Sequence, residues 1–260
     1  MKAYVPYVSD DVHGTINFEG SRRQALGFCL LETDLYQFKL VRTPRWESPK
    51  MKLLLLGATG LVGSRTLKLA LSKPVFSEVI APTRKPLEPS GRLVNPVGPS
   101  LEELIPNLMS YQPDAVICAL GTTQAKAGSK EAFRRVDYEL PIAVGKAAHA
   151  AGVETYAIVT AMGASANSMS FYFRIKGEVE RDIQEIGFRS LTICKPSLID
   201  GERTEARRAE RAALALLRLL APILPKKLQV NPADVIAASL IDAVLIAKTG
   251  RRRIYAEEMN

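Results

Sequence analysis

The stretch Met51–Gly63, MKLLLLGATGLVG, constrains the fold of this chain more than any other. Lys52 to Leu56 reads as a short apolar strand, of the kind buried on both faces of a parallel sheet. Glycines follow at Gly57, Gly60 and Gly63, and a helix opens there with Leu61, Val62, Thr66, Leu67, Ala70 and Leu71 on its inner side. Each glycine meets a separate need: a sharp turn at Gly57, close approach of backbone to an anion at Gly60, and helix-on-strand packing at Gly63. The unpaired N–H groups and positive dipole end of a helix start hold a phosphate or pyrophosphate.

Apolar strands and helical segments alternate beyond that point. Glu78 to Pro82 (EVIAP) reads as a second strand and Arg92 to Pro96 as a short third one. Ser100 and Glu103 form a capping-box pattern for a helix to about Met109. Ala115 to Leu120 (AVICAL) is a fourth strand, and residues 124 to 135 read as a polar, basic loop over its end. Pro141 suits the first turn of a helix that Gly152 ends, Thr155 to Thr160 is a fifth strand and Ser190 to Lys195 a sixth. Glu205 to Leu220 reads as a helix stopped by Pro222 and Pro225. A last helix starts after Asn231-Pro232 and closes at Gly250, and Arg253 to Tyr255 forms an edge strand. The pattern predicts an α/β fold, a Rossmann-like doubly wound parallel sheet of six or seven strands in a single domain over residues 51–260.

Residues 1–50 show no sustained period. With Met51 directly before the first strand, they read as an N-terminal extension, disordered or not native; an arm packed on the sheet is the competing reading. They lack the charged and apolar regions of a signal peptide, and the run Ala25 to Leu31 is too short to span a bilayer. Net charge is +8, yet the basic residues are scattered apart from Arg251 to Arg253, so no nucleic-acid partner is expected. Cys29, Cys118 and Cys194 have no paired spacing and point to thiols in a reducing cytoplasm. With only His13 and His149, no metal site is expected.

Two features point to chemistry. Dinucleotide folds that take NAD place an acid about 20 residues past the glycine loop, on the ribose 2′-hydroxyl. Here that place holds Arg84 and Lys85, which suit a 2′-phosphate, so NADP(H) is expected in preference to NAD(H). Tyr172 and Lys176, four apart, lie on one helix face. A lysine ammonium beside a phenol favours the phenolate, so Tyr172 can exchange a proton with a carbonyl or hydroxyl while hydride moves at the nicotinamide. Thr160, twelve residues earlier, offers a hydroxyl to the substrate oxygen, and Gly121 lets backbone approach the cofactor ribose.

From Met51 onward the chain resembles the atypical short-chain dehydrogenase/reductase superfamily, and within it the Tat-interacting-protein-like oxidoreductases and their bacterial relatives. The likeness rests on LLGATGLVG (Leu55–Gly63), ALGTTQAKAG (Ala119–Gly128), Val136-Asp137, YFRIKGEVE (Tyr172–Glu180) and KPSLIDGER (Lys195–Arg203). It implies that Thr59, Leu61 and Val62 offer amides to the phosphates and that Arg84 meets the 2′-phosphate. Leu120, Gly121 and Thr122 would line the cofactor, Lys176 would touch the nicotinamide ribose, and Pro196 and Ser197 would flank the carboxamide. One departure stands out: the usual serine position carries Thr160, beside Ala161. The resulting expectation is an NADPH-dependent oxidoreductase of a small carbonyl or alcohol, with substrate contacts in 161–170 and 198–230. A cofactor-binding sensor or scaffold without turnover is the second reading, epimerase or isomerase chemistry a third. A homodimer or protein partner is left open.

Overall fold

The side chains of β1 (Met51–Leu56) split the interior into two layers. Leu53 and Leu55 face one apolar cluster and Leu54 and Leu56 the other, all four fully buried. That is the strand alternation expected when helices cover both faces of a sheet. The computed structural model describes residues 50–200 and 230–259. Expectations for residues 1–49, for the helix from Glu205 to Leu220 and for most of the 198–230 substrate region lie outside them.

The strands that follow are β2 (Phe76–Ile80), β3 (Leu93–Val94), β4 (Ala115–Cys118), β5 (Thr155–Val159), β6 (Ser190–Lys195), β7 (Ile199–Asp200), β8 (Asn231–Pro232) and β9 (Gly250–Tyr255). Seven of them form one sheet in the order β3-β2-β1-β4-β5-β6-β9, with every neighbouring pair parallel. β7 and β8 make a separate short pair. The strand order reverses between β1 and β4, and ligands of open α/β sheets bind in the crevice at such a switch point.

Seven helices are described: α1 (Leu61–Ser72), α2 (Leu101–Leu108), α3 (Gln124–Ala127), α4 (Lys130–Arg134), α5 (Leu140–Ala150), α6 (Phe171–Glu185) and α7 (Ala233–Ile246). α1 and α7 pack together on one face, where Ile236, Leu240, Ile241 and Val244 meet Leu53 and Leu55. α5 and α6 cover the other, with Val144, Val179 and Ile183 against Leu54 and Leu56. The doubly wound prediction therefore holds strand by strand.

Two local expectations change. Residues 124–135 are helical rather than a loop, because Thr123 and Ser129 each cap a short helix through their hydroxyls. A π-helical turn over Arg135–Glu139 then joins α4 to α5. Ala247, in the left-handed region at φ 44°, ends α7, whereas Gly250 (φ 99°) starts a six-residue β9 instead of closing the helix.

Candidate active site

The turn after β1 is built on backbone proximity. Gly57 has φ 82°, and a Cβ there would lie 2.6 Å from the Ala119 carbonyl oxygen at the end of β4. A Cβ on Gly63 would lie 2.0 Å from the Gly57 carbonyl oxygen, and one on Gly60 3.2 Å from the same atom. No side chain therefore fits at Gly57 or Gly63 without moving the strand, the turn or the helix. Gly60 donates its N–H to the Gly57 oxygen at 2.9 Å and sits at the N-cap of α1, with no side-chain cap on the helix start. Such an uncapped start, pressed against the switch point, fits the pyrophosphate of a dinucleotide.

A cavity of about 1010 Å³ opens from this turn. Thr59, Gly60, Arg84, Leu120, Gly121 and Thr122 all border it. Arg84 is exposed and makes no ion pair among the described residues, so its charge is available to a ligand. Lys85 is exposed just beyond the lining, and Leu61, Val62 and Gly63 stand behind the turn. Tyr172, Lys176, Pro196 and Ser197 also stand outside this lining, so the expected set divides into two groups.

The second group centres on α6. Lys176 is 5% exposed, and its ammonium lies 2.7 Å from Oδ1 of Asp137 on the π-helical turn. That is a charge contact, since Oδ1 has no aligned hydrogen bond, whereas Oδ2 accepts from the Thr122 N–H at 2.9 Å. Burial pushes the lysine towards its neutral form, but the Asp137 carboxylate and the Tyr172 phenol outweigh it and raise its pKa. Gly121 borders the pair: a Cβ there would make ordinary contact with it, 3.7 Å from Asp137 and 3.9 Å from Lys176. Backbone bordering the cavity is thus tied to the lysine through one buried carboxylate. Tyr172, half-buried one turn earlier, packs on Phe133 of α4, with ring centroids 5.9 Å apart.

Thr160 is the expected site residue whose placement changes. It is 4% exposed, and its hydroxyl donates to Glu180 Oε1 at 2.6 Å. Glu180 Oε2 in turn meets the Lys195 ammonium at 2.7 Å. The single proton of the threonine is thus spent on a buried carboxylate rather than offered to a substrate oxygen. Thr160 instead ties the end of β5 to Glu180 on α6. Gly177 lets the following segment come close to α6, since a Cβ on it would lie 2.0 Å from the Ser165 carbonyl carbon. Pro196 accepts the Met162 N–H at 2.7 Å, and Ser197 donates its N–H to Asn231 Oδ1 at 2.8 Å.

Asp137 and Glu180 belong to stretches that carry the family likeness, but the sequence assigned neither a place in the site. A signal for the latter was present, because Tyr172, Lys176 and Glu180 continue a single spacing of four along α6. Asp137 needed the tertiary structure, since its partners lie on β4's exit and on α6.

The HIM1 family model matches residues 95–224. "Protein fmp52, mitochondrial" of Aspergillus fumigatus is 34% identical over 206 residues, covering 75% of this chain and 88% of the fungal protein. The chain belongs to the HIM1 family. A Candida albicans relative of the same type is 37% identical over 163 residues, covering 60% of this chain and 70% of that protein. Among solved structures, Bordetella bronchiseptica WbmH in complex with NAD+ has a TM-score of 0.62 at 16% identity, covering 79% of this chain and 75% of WbmH. Thermotoga maritima UDP-glucose 4-epimerase with UDP-glucose has a TM-score of 0.58 at 14% identity, covering 79% and 77%. The HIM1 chain thus shares the Rossmann-like fold of NAD-dependent epimerases and reductases, as the short-chain dehydrogenase likeness implied. The expected cytoplasmic location is overturned, because the relatives carry mitochondrial names. Among the described residues no helix is long and apolar enough to cross a membrane.

Proposed function

We propose that this chain is a mitochondrial NADPH-dependent oxidoreductase acting on a small carbonyl or alcohol. The observation that carries the reading is the buried Lys176–Asp137 pair, tied to the Thr122 amide beside the cavity and lying one helical turn from Tyr172. Burying two charges is costly, and a site that keeps an ammonium next to a phenol has a use for it. The glycine turn and its uncapped helix start would hold the pyrophosphate, Arg84 with Lys85 the 2′-phosphate, and Lys176 the nicotinamide ribose. Pro196 and Ser197 would border the carboxamide.

A bound nicotinamide supplies a hydride donor or acceptor. The chain's own part is proton handling: Tyr172 gives a proton to the substrate oxygen on reduction or takes it on oxidation. Lys176 keeps positive charge beside the phenol oxygen while the proton is away, and Asp137 keeps that charge in place.

One observation favours a second reading, a cofactor-binding sensor without turnover. Thr160 directs its hydroxyl to Glu180, and Ala161 beside it has none, so a substrate oxygen would lack the usual second donor. Titrating the purified chain with NADPH and NADH, then screening small carbonyls for NADPH oxidation, tests both. Tight NADPH binding with turnover supports the enzyme, binding without turnover across the screen supports the sensor, and binding of neither cofactor overturns both. Fractionation of cells expressing the full chain checks the mitochondrial placement.

A further inference from the structure

Arg84 and Lys85 sit on an exposed loop, and a loop cation discriminates between cofactors only if its backbone is held. That backbone is tied to one side chain. Asn95, just past β3, accepts the Leu87 N–H on Oδ1 at 2.9 Å. Its Nδ2 donates to the Ala81 carbonyl at 2.6 Å and to Thr83 Oγ1 at 2.8 Å. Thr83 Oγ1 then donates onward to the Lys85 carbonyl at 2.6 Å. The contacts bracket Arg84 and Lys85 from both sides, at Ala81 and Thr83 before them and at Lys85 and Leu87 after them. The amide's orientation is set by its partners, since a backbone N–H demands Oδ1 and a carbonyl demands Nδ2. Backbone bonds add to the frame on the Thr83 side only: Thr83 N–H to the Pro96 carbonyl at 3.0 Å, and Gly98 N–H to the Thr83 carbonyl at 3.2 Å. On the far side, the Lys85 carbonyl and the Leu87 N–H depend on the Thr83 hydroxyl and Asn95.

We propose that Asn95 is a specificity-determining positioning residue, which holds the Thr83–Leu87 loop so that Arg84 and Lys85 meet the 2′-phosphate of NADPH. The inference rests on the NADPH reading above. Asn95 touches neither cofactor; it acts through the loop. Losing it lets the two cations spread over many positions, and a flexible cation loses most of its advantage over bulk solvent. The pyrophosphate turn, on the other side of β2, is untouched by the change, so NADH binding is the internal control.

The experiment measures dissociation constants of NADPH and NADH for the full chain, for Asn95→Ala and for Thr83→Val. Thr83→Val keeps the β-branched shape and removes only the hydroxyl relay. Asn95→Ala is expected to weaken NADPH by about tenfold, the effect of losing one well-placed charged contact, and to leave NADH within about twofold. Thr83→Val moves the NADPH/NADH ratio in the same direction by a smaller factor, and decides the matter if Asn95→Ala fails to fold. Equal weakening of both cofactors, or an unchanged ratio in the folded variants, overturns the positioning role. A wild-type chain that does not distinguish NADPH from NADH instead removes the reading beneath it, an outcome separable from the first by the wild-type ratio alone.

Discussion

The glycine-turn side of the cleft and the α6 side are assembled from opposite materials. The first is backbone: three glycines, an uncapped helix start, and the exposed Arg84 at the border of a cavity. The second is buried charge, in which Lys176 answers Asp137 and Lys195 answers Glu180, each pair at 2.7 Å. A site made of backbone fails by steric intrusion and tolerates changes of charge. A site made of buried ions tolerates small changes of shape and fails when one partner goes.

The sharpest break between the two sides comes from Tyr172→Phe. Turnover is expected to fall by roughly 10²–10⁴-fold, the range for a lost general acid or base, while NADPH affinity stays within twofold in a direct titration. Retained turnover removes Tyr172 from the chemistry. Lys176→Met comes next, because it strands the Asp137 carboxylate; urea denaturation should register a loss of about 3–5 kcal/mol. Adding Asp137→Asn to it should recover part of that loss, and no recovery would show that the cost is packing rather than charge.

Gly63→Ala tests the other material. Its methyl group would need space held by the Gly57 carbonyl, and overpacking of this kind costs about 1–3 kcal/mol or more. Gly91→Ala, where nothing lies within 4 Å of the added carbon, is the matched control and should be near neutral. Arg84→Ala should leave stability unchanged and reduce NADPH affinity by about 1.5–3 kcal/mol, the worth of bonds to a charged group.

The smallest effect is on the alkaline side. The folded-state pKa of Lys176 is raised, against burial, by Asp137 and Tyr172, so its ion pair contributes stability fully below the ordinary lysine pKa of 10.5. That contribution declines from about 10.5 and is lost once pH has risen through the raised value. Thermal melts should therefore show no loss from this pair at neutral pH and a decline above about 10.5 that Lys176→Met lacks.

The glycine-turn side was legible because its requirements are local. Strand, glycines and helix are contiguous, and the closest intrusions come within a residue or two of the motif or at the neighbouring strand's end. Apolar runs in β1, β4 and β5 were legible for the same reason: burial on both faces leaves only apolar choices. The α6 side was legible only as far as the spacing of four. Tyr172 and Lys176 could be placed on one face, but Thr160 was read as facing substrate because its acceptor, Glu180, is twenty residues away and is met only in the folded chain. Residues 124–135 look like a loop in the sequence because two short hydroxyl-capped helices carry too few apolar positions to show a period.

The two margins of the seven-stranded sheet have a consequence of their own. One ends in β3, only two residues long, and the other in β9, where Arg251, Arg252 and Arg253 are all exposed. Open strand margins invite copies of a chain to add themselves as further strands, and brevity and positive charge both discourage it. The arginine run, which the cofactor chemistry leaves unused, sets exposed positive charge along that margin, a feature that disfavours edge-to-edge pairing of copies.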